Sequence, residues 1–319
     1  MASIKDLKKR IGSVKNTQQT TRAMKMVSAA KLRRAQEAIT SQRPYARKLN
    51  DLIQLVTTFA NSSGETVESS LLKRERTIEE GAKKRLVLVV VTSDRGLCGA
   101  FNSNVLKMSV RWVREHQAEY ESIQLAYVGR KGYEFFKSKD FKQGTYFAEA
   151  GGKVTFAKGK KLSDALIASY VSGEVDEVKF VFNEFINAVT QRTVVEDYLP
   201  PGAPRASEAE AKTDKASKVD SARGTETLPE ASIYFLKPSG NELLQRLMDK
   251  NYAIQSFRIL LESQAGEHGS RMSSMENATK NAGEMIRKLS LQYNKQRQAN
   301  ITKELLEIIS GSESQKVSS

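Results

Sequence analysis

Residues 241–309 read NELLQRLMDKNYAIQSFRILLESQAGEHGSRMSSMENATKNAGEMIRKLSLQYNKQRQANITKELLEII, without a proline. Apolar side chains return at intervals of three and four: Leu244, Leu247, Phe257, Leu260, Leu261, Met272, Met275, Ile286, Leu289, Tyr293, Ile301, Leu305 and Ile308. That spacing is the signature of a helix with one apolar stripe. Unbroken, it would be roughly 100 Å long at a rise of 1.5 Å per residue. Gly266 and Gly269 are the points where it is expected to bend or break. A helix of this length with so narrow a stripe cannot bury itself on a compact domain, so it needs a helical partner.

The partner is expected at the other end of the chain. From Ser3 to about Phe59 there is one proline, Pro44, and one glycine, Gly12, among Lys, Arg, Ala, Gln and Met, all good helix formers. Leu7, Ile11, Val14, Met24, Val27, Leu49, Leu52, Ile53 and Val56 supply its stripe. Between Val14 and Met24 the seam turns polar, from Asn16 to Thr21. A helix packed into a globular core would be damaged by such a gap, whereas a two-helix shaft tolerates it.

Between the two helices the period changes. The run 85–92, RLVLVVVT, reads as a buried strand, and a glycine-containing turn then leads into helix 103–117. Strands at 123–128, 145–148 and 178–183 alternate with helices at 131–139 and 162–172, which predicts a parallel or mostly parallel sheet covered by helices. Residues 200–230 are rich in Pro, Ala, Ser, Lys, Glu and Asp, with almost no large apolar side chains, and read as a solvated linker or insertion. The expected organisation is a first helix at 1–60, a connector at 61–84 and a central domain at 85–199. After the insertion come a returning strand at 231–238, the last helix at 239–311 and a polar tail at 312–319. The fold class is therefore α/β: an antiparallel coiled coil of the terminal helices around a Rossmann-like domain.

Composition sets limits. The chain has 319 residues, 39% hydrophobic and 28% charged, enough for one core plus extended structure. A formal charge of +14 calls for an acidic or polyanionic partner, whether nucleic acid, anionic lipid or acidic protein. No apolar run approaches the ~20 residues of a membrane helix. The N-terminus lacks a signal-peptide segment, so a mature protein made in the cytoplasm is expected. One cysteine, Cys98, permits no internal disulfide, and the separated His116 and His268 do not suggest a metal site. No cofactor is expected.

The turn Thr92-Ser-Asp-Arg-Gly-Leu-Cys-Gly99 lies where α/β proteins place nucleotides. A P-loop needs Gly-Lys-Ser/Thr, but Gly99 is followed by Ala100 and Phe101, and the dinucleotide fingerprint lacks its first glycine. A structural tight turn is expected, with Cys98 buried and inert despite nearby Arg95. No nucleophile, paired carboxylates or histidine arrangement suggests catalysis. The first helix carries Lys8, Lys9, Arg10, Lys25, Lys31, Arg33 and Arg34, which would suit a nucleic-acid footprint or a solvated face. Their interleaving with Met24, Met26, Ala29 and Ala30 also suits a surface that re-packs against protein.

Three stretches together resemble the gamma-subunit family of F-type ATP synthases: Ile11 to Gln36, Thr92 to Asn102, and Asn294 to Gly311. The resemblance implies a rotor shaft whose helices stand inside a ring of three alpha and three beta subunits. Its α/β domain would meet epsilon and the membrane ring of c subunits. An asymmetric shaft would hold the beta nucleotide sites in different states, regulate ATPase activity and proton flow, and leave catalysis to beta. One charge crossing a membrane supplies only ~2.3 kcal/mol per 100 mV, so several must be pooled through a stiff element for each ATP.

By position, the resemblance assigns ring contacts to Met24, Lys25, Arg297, Gln298, Thr302, Glu304 and Glu307, and a c-ring or epsilon contact to Tyr234 and Lys237. The cationic first helix would face an acidic loop of beta. Lys237-Pro238 departs from the family's acid before proline, and Ser312 from its terminal alanine. The insertion at 200–230 has no cysteine, which excludes a thiol switch there and leaves a passive linker or a steric brake. The rival reading is a basic coiled-coil adaptor for nucleic acid, which predicts salt-sensitive retention on DNA or RNA.

Overall fold

A computed structural model describes residues 3–62, 83–188, 190–200 and 240–317. Tyr234, Lys237, the expected returning strand and nearly all of the expected insertion and connector lie outside these residues. The chain divides into two compact units, Met1–Ala29 with Arg271–Ser319, and Ala30–Ser270. Two long helices contribute to both units: α1 (Ile4–Ser62), which contains Pro44, and α5 (Gly240–Val317).

The larger unit is built on β1 (Lys84–Val91), β2 (Tyr120–Val128), β3 (Lys142–Tyr146), β4 (Glu177–Phe185) and β5 (Gln191–Leu199). Between them lie α2 (Phe101–His116), α3 (Arg130–Phe136) and α4 (Phe156–Val171). The sheet order is β3-β2-β1-β4-β5. The first four strands pair in parallel, while β5 runs antiparallel to β4. The apolar run of β1 is explained by burial on both faces. Val87, Val89 and Val91 join a core with Leu162 and Leu166 of α4 and Ile259 and Leu260 of α5. Leu86, Leu88 and Val90 join another with Val105 and Val113 of α2 and Phe136 of α3.

Several boundaries differ from expectation. The antiparallel β5 has no counterpart in the sequence reading, because an edge strand reading QRTVVEDYL, buried only at Tyr198 and Leu199, lacks a continuous apolar run. The strand expected at 145–148 lies earlier, as β3, and is followed by a single 3-10 turn at Ala148–Ala150. Helix α4 starts six residues before the expected Leu162, at an exposed Phe156.

Gly266 and Gly269 do not break α5, which passes through both. A Cβ on Gly266 would lie 3.2 Å from Phe101 Cε2, and one on Gly269 would lie 2.8 Å from the carbonyl oxygen of Ala188. The missing side chains let α5 approach the domain closely, and Gln191 Nε2 donates to the Gly266 carbonyl at 2.8 Å. In the same unit, Gln42 of α1 donates to the Ile254 carbonyl of α5 at 2.9 Å, while Leu32, Ala35, Leu49 and Val56 of α1 are buried.

In the smaller unit the two helices run antiparallel, with Gln18 against Gly283, Thr21 against Thr279 and Lys25 against Glu276. The polar stretch of α1 is part of this seam. Thr21 is buried, its hydroxyl 2.8 Å from that of Thr279 and donating to the Gln18 carbonyl at 3.0 Å. Ser28 is buried as well, whereas Val27, expected in the stripe, is 56% exposed.

Candidate partner interface

The surface that α1 and α5 offer to other molecules follows from where their pairing stops. Because Thr21 lies opposite Thr279 and the helices are antiparallel, Ile4, at the start of α1, falls opposite the stretch around Arg297. Beyond it, α5 continues to Val317 without α1 beside it. Ile301, Leu305, Leu306, Ile308 and Ile309 are all exposed there, and Ile308 is 72% exposed. The spacing of Ile301, Leu305 and Ile308 had pointed to an internal seam. The stripe is real, but no described residue of the chain covers it, and an uncovered apolar stripe of this kind marks an interaction surface.

The residues singled out in sequence fall into two groups. Arg297, Gln298, Thr302, Glu304 and Glu307 are all exposed on the unpaired end of α5. Thr302 Oγ1 donates back to the Gln298 carbonyl at 2.9 Å, and Glu307 lies 3.6 Å from Lys303. Met24 and Lys25 lie elsewhere in the unit, on the paired part of α1, and both are half-buried. Lys25 Nζ donates to Glu276 Oε1 at 2.7 Å. Met26, beside them, is exposed together with Val27. Lys8, Lys9, Arg10, Lys31, Arg33 and Arg34 are exposed too, with Arg33 paired to Glu37 one turn away.

The turn after β1 is held by its own side chains. Asn102 Oδ1 accepts from the Ser93 amide at 3.0 Å, and its Nδ2 donates to Ser93 Oγ at 2.8 Å and to Cys98 Sγ at 3.3 Å. Cys98 is buried, as expected. Leu97 takes the left-handed conformation, φ 63°, with its side chain 63% exposed, an unfavourable arrangement for a branched apolar residue. The Ser93 amide that a phosphate would need is already engaged, and the turn carries no lysine. Among the described residues no cluster of His, Cys, Asp and Glu is arranged to hold a metal ion, and no helix is long and apolar enough to cross a membrane.

A family model described as ATP synthase matches residues 3–314. The ATP synthase gamma chain of Trichlorobacter lovleyi is 45% identical over 316 residues, covering 98% of this chain and 99% of the relative. The chain belongs to the ATP synthase gamma-chain family. A more distant gamma chain, from Bdellovibrio bacteriovorus, is 40% identical over 317 residues, covering 99% of this chain and all of the relative. Among solved structures, a chain of the central stalk and c-ring of the Tetrahymena thermophila mitochondrial ATP synthase superposes with a TM-score of 0.54 at 23% identity, covering 81% of this chain and 99% of the other. A chain of the Euglena gracilis mitochondrial rotor gives 0.56 at 17% identity, covering 93% and 98%. These likenesses show that the fold is shared with chains of mitochondrial ATP synthases.

Proposed function

We propose that this gamma chain is the central rotor shaft of a bacterial F1Fo ATP synthase, coupling proton flow through the c ring to the state of the nucleotide sites in the alpha and beta ring. The match to gamma chains along nearly the whole length carries the reading. The chain is a non-catalytic subunit, and ATP chemistry belongs to beta. The helix pair supplies a torsional element, and the uncovered end of α5 supplies an apolar surface that can turn against a surrounding collar. Around it, Arg297, Gln298, Thr302, Glu304 and Glu307, with Met24 and Lys25 on α1, make the polar contacts to that collar. The exposed cations of α1 complement an acidic surface of beta. Epsilon and the c ring are the partners at the α/β domain. Because the relatives are bacterial, the complex is assigned to the inner membrane, with this chain peripheral on its cytoplasmic side. The nucleic-acid adaptor reading finds no support in these relationships.

Purification of the tagged chain from its own membranes, after release of the ATPase by EDTA, tests the reading. Alpha, beta and ATPase activity are expected to accompany the chain, and recovery of the chain without them contradicts it.

A further inference from the structure

A cavity of about 170 Å³ opens between α1, the end of β4 and α5, lined by Gln36, Ile39, Thr40 and Arg43, by Glu184 and by Glu262, among others. Glu262, on α5, is 7% exposed, and its two oxygens have different surroundings. Oε1 accepts from Arg258 Nη1 at 3.2 Å. Oε2 is buried and has no hydrogen-bond partner among the described residues. A buried carboxylate oxygen without a donor is costly, and structures supply donors to such groups.

The charged groups around Glu262 come from each element packed there. On α5, Arg258 is shared between Glu262 and Glu196 of β5. Arg192 of β5 is bound to Glu184 of β4 through Nη2 at 2.9 Å. Arg43 is the cation on the α1 wall, on the same helix face as Gln36 and Thr40, and among the described residues it makes no hydrogen bond or ion pair. Burial raises the Glu262 carboxyl to about 6; Arg258 acts in the opposite direction, and Glu196 and Glu184 add to the rise.

We propose that Arg43 and Glu262 form a proton-gated latch between α1 and α5. When Glu262 is ionised, the Arg43 guanidinium crosses the cavity and donates to Oε2. When Glu262 takes up a proton, the charge that holds Arg43 is gone and the guanidinium returns to water. The structure shows the open form. Closure joins two helices that otherwise meet here through apolar packing and the Gln42 hydrogen bond, so the pair is stiffer above the transition than below it. The inference concerns only the larger unit and does not depend on the proposed partners.

The test follows the Glu262 carboxyl by carbon-13 NMR in the full chain, with Glu262→Gln identifying the resonance. In the wild type its titration midpoint is expected at least one pH unit below that in Arg43→Met, a tenfold change in proton affinity. Arg43→Gln, which keeps a donor but no charge, should behave as Arg43→Met does. Glu184→Gln, which removes a like charge, should instead lower the midpoint. A double-mutant cycle of Arg43 and Glu262 in urea unfolding should show coupling at pH 8 that shrinks as the pH falls and is lost only below the wild-type midpoint. Equal midpoints in wild type and either Arg43 variant, or a coupling that does not change with pH, overturn the latch.

Discussion

Replacing Gly159 with alanine should loosen the contact between α4 and α5. A Cβ at this position would lie 2.9 Å from Phe257 Cβ and 3.0 Å from both its Cα and its amide nitrogen. Favourable carbon contacts lie at about 3.5–4.0 Å, so the two helices must separate by at least half an ångström or so. None of the three atoms is the far end of a flexible side chain, so a rotamer change at Phe257 gives no relief. Overpacking of this kind costs about 1–3 kcal/mol, while alanine in place of glycine in a helix returns about 1 kcal/mol. The expected result is a net loss of up to about 2 kcal/mol, in place of the gain that alanine brings to an open helical site. Gly12, in the smaller unit, provides a control to be followed by helical circular dichroism: nothing lies within 4 Å of its Cβ position, so Gly12→Ala should be neutral or gain up to about 1 kcal/mol. Trp112, the chain's one tryptophan, stacks on His116 with ring centroids 4.3 Å apart and reports on the larger unit in urea unfolding followed by fluorescence. A Gly159→Ala variant that gains the ~1 kcal/mol of an open helical site would refute the close approach of α4 and α5.

Other substitutions separate local stability from coupling. Lys25→Ala removes a half-exposed ion pair worth less than about 1 kcal/mol, so a large fall in ATP-driven proton pumping with unchanged unfolding would assign Lys25 to a partner contact, whereas unchanged pumping would remove it from the interface. Met24→Lys combined with Gln298→Leu should impair coupled pumping in assembled enzyme; normal pumping and ATPase activity would contradict the assigned contacts. Asn102→Leu, which strips the Ser93 amide of its acceptor while its hydroxyl keeps the Arg95 carbonyl, should cost about 1–3 kcal/mol in urea unfolding, and wild-type stability would show that the turn does not depend on it. In the Arg43→Met background, Glu262 keeps a folded value of about 6 against an ordinary 4.5, so the folded state binds the proton more tightly. Its contribution is fully present below pH 4.5 and is lost as pH rises through about 6, a fall of about 2 kcal/mol at ~1.4 kcal/mol per unit. Adding Glu262→Gln should flatten that slope, and a slope that persists would assign it to another group.

Features governed by local period were legible in the sequence. The two long helices followed from apolar spacing, and the centre of the sheet followed from β1, whose six apolar residues serve two cores. What depended on tertiary contact was not legible. Strand β5 is an edge strand with a half-polar face, so no apolar signal marked it. Gly266 and Gly269 looked like helix breakers because propensity does not register that α5 needs room for Phe101, Gln191 and Ala188. The seam of α1 contains Thr21 and Ser28 while Val27 is exposed, because two thin helices bury small side chains, and Thr21 hydrogen-bonds across the pair. At the interface, spacing identified Ile301, Leu305 and Ile308 as apolar positions. That they are uncovered depends on where α1 begins in space, which sequence spacing alone does not give.

Rotation of the shaft is the direct consequence of these assignments. With the alpha and beta ring fixed to a surface and a bead attached through cysteine at exposed Lys107, in the α/β domain, the bead should turn in one direction during ATP hydrolysis, in steps of a third of a turn. The buried Cys98 should not compete for the label. A bead that stays fixed relative to the ring while the same molecules hydrolyse ATP would contradict the assignment of this chain as the rotor.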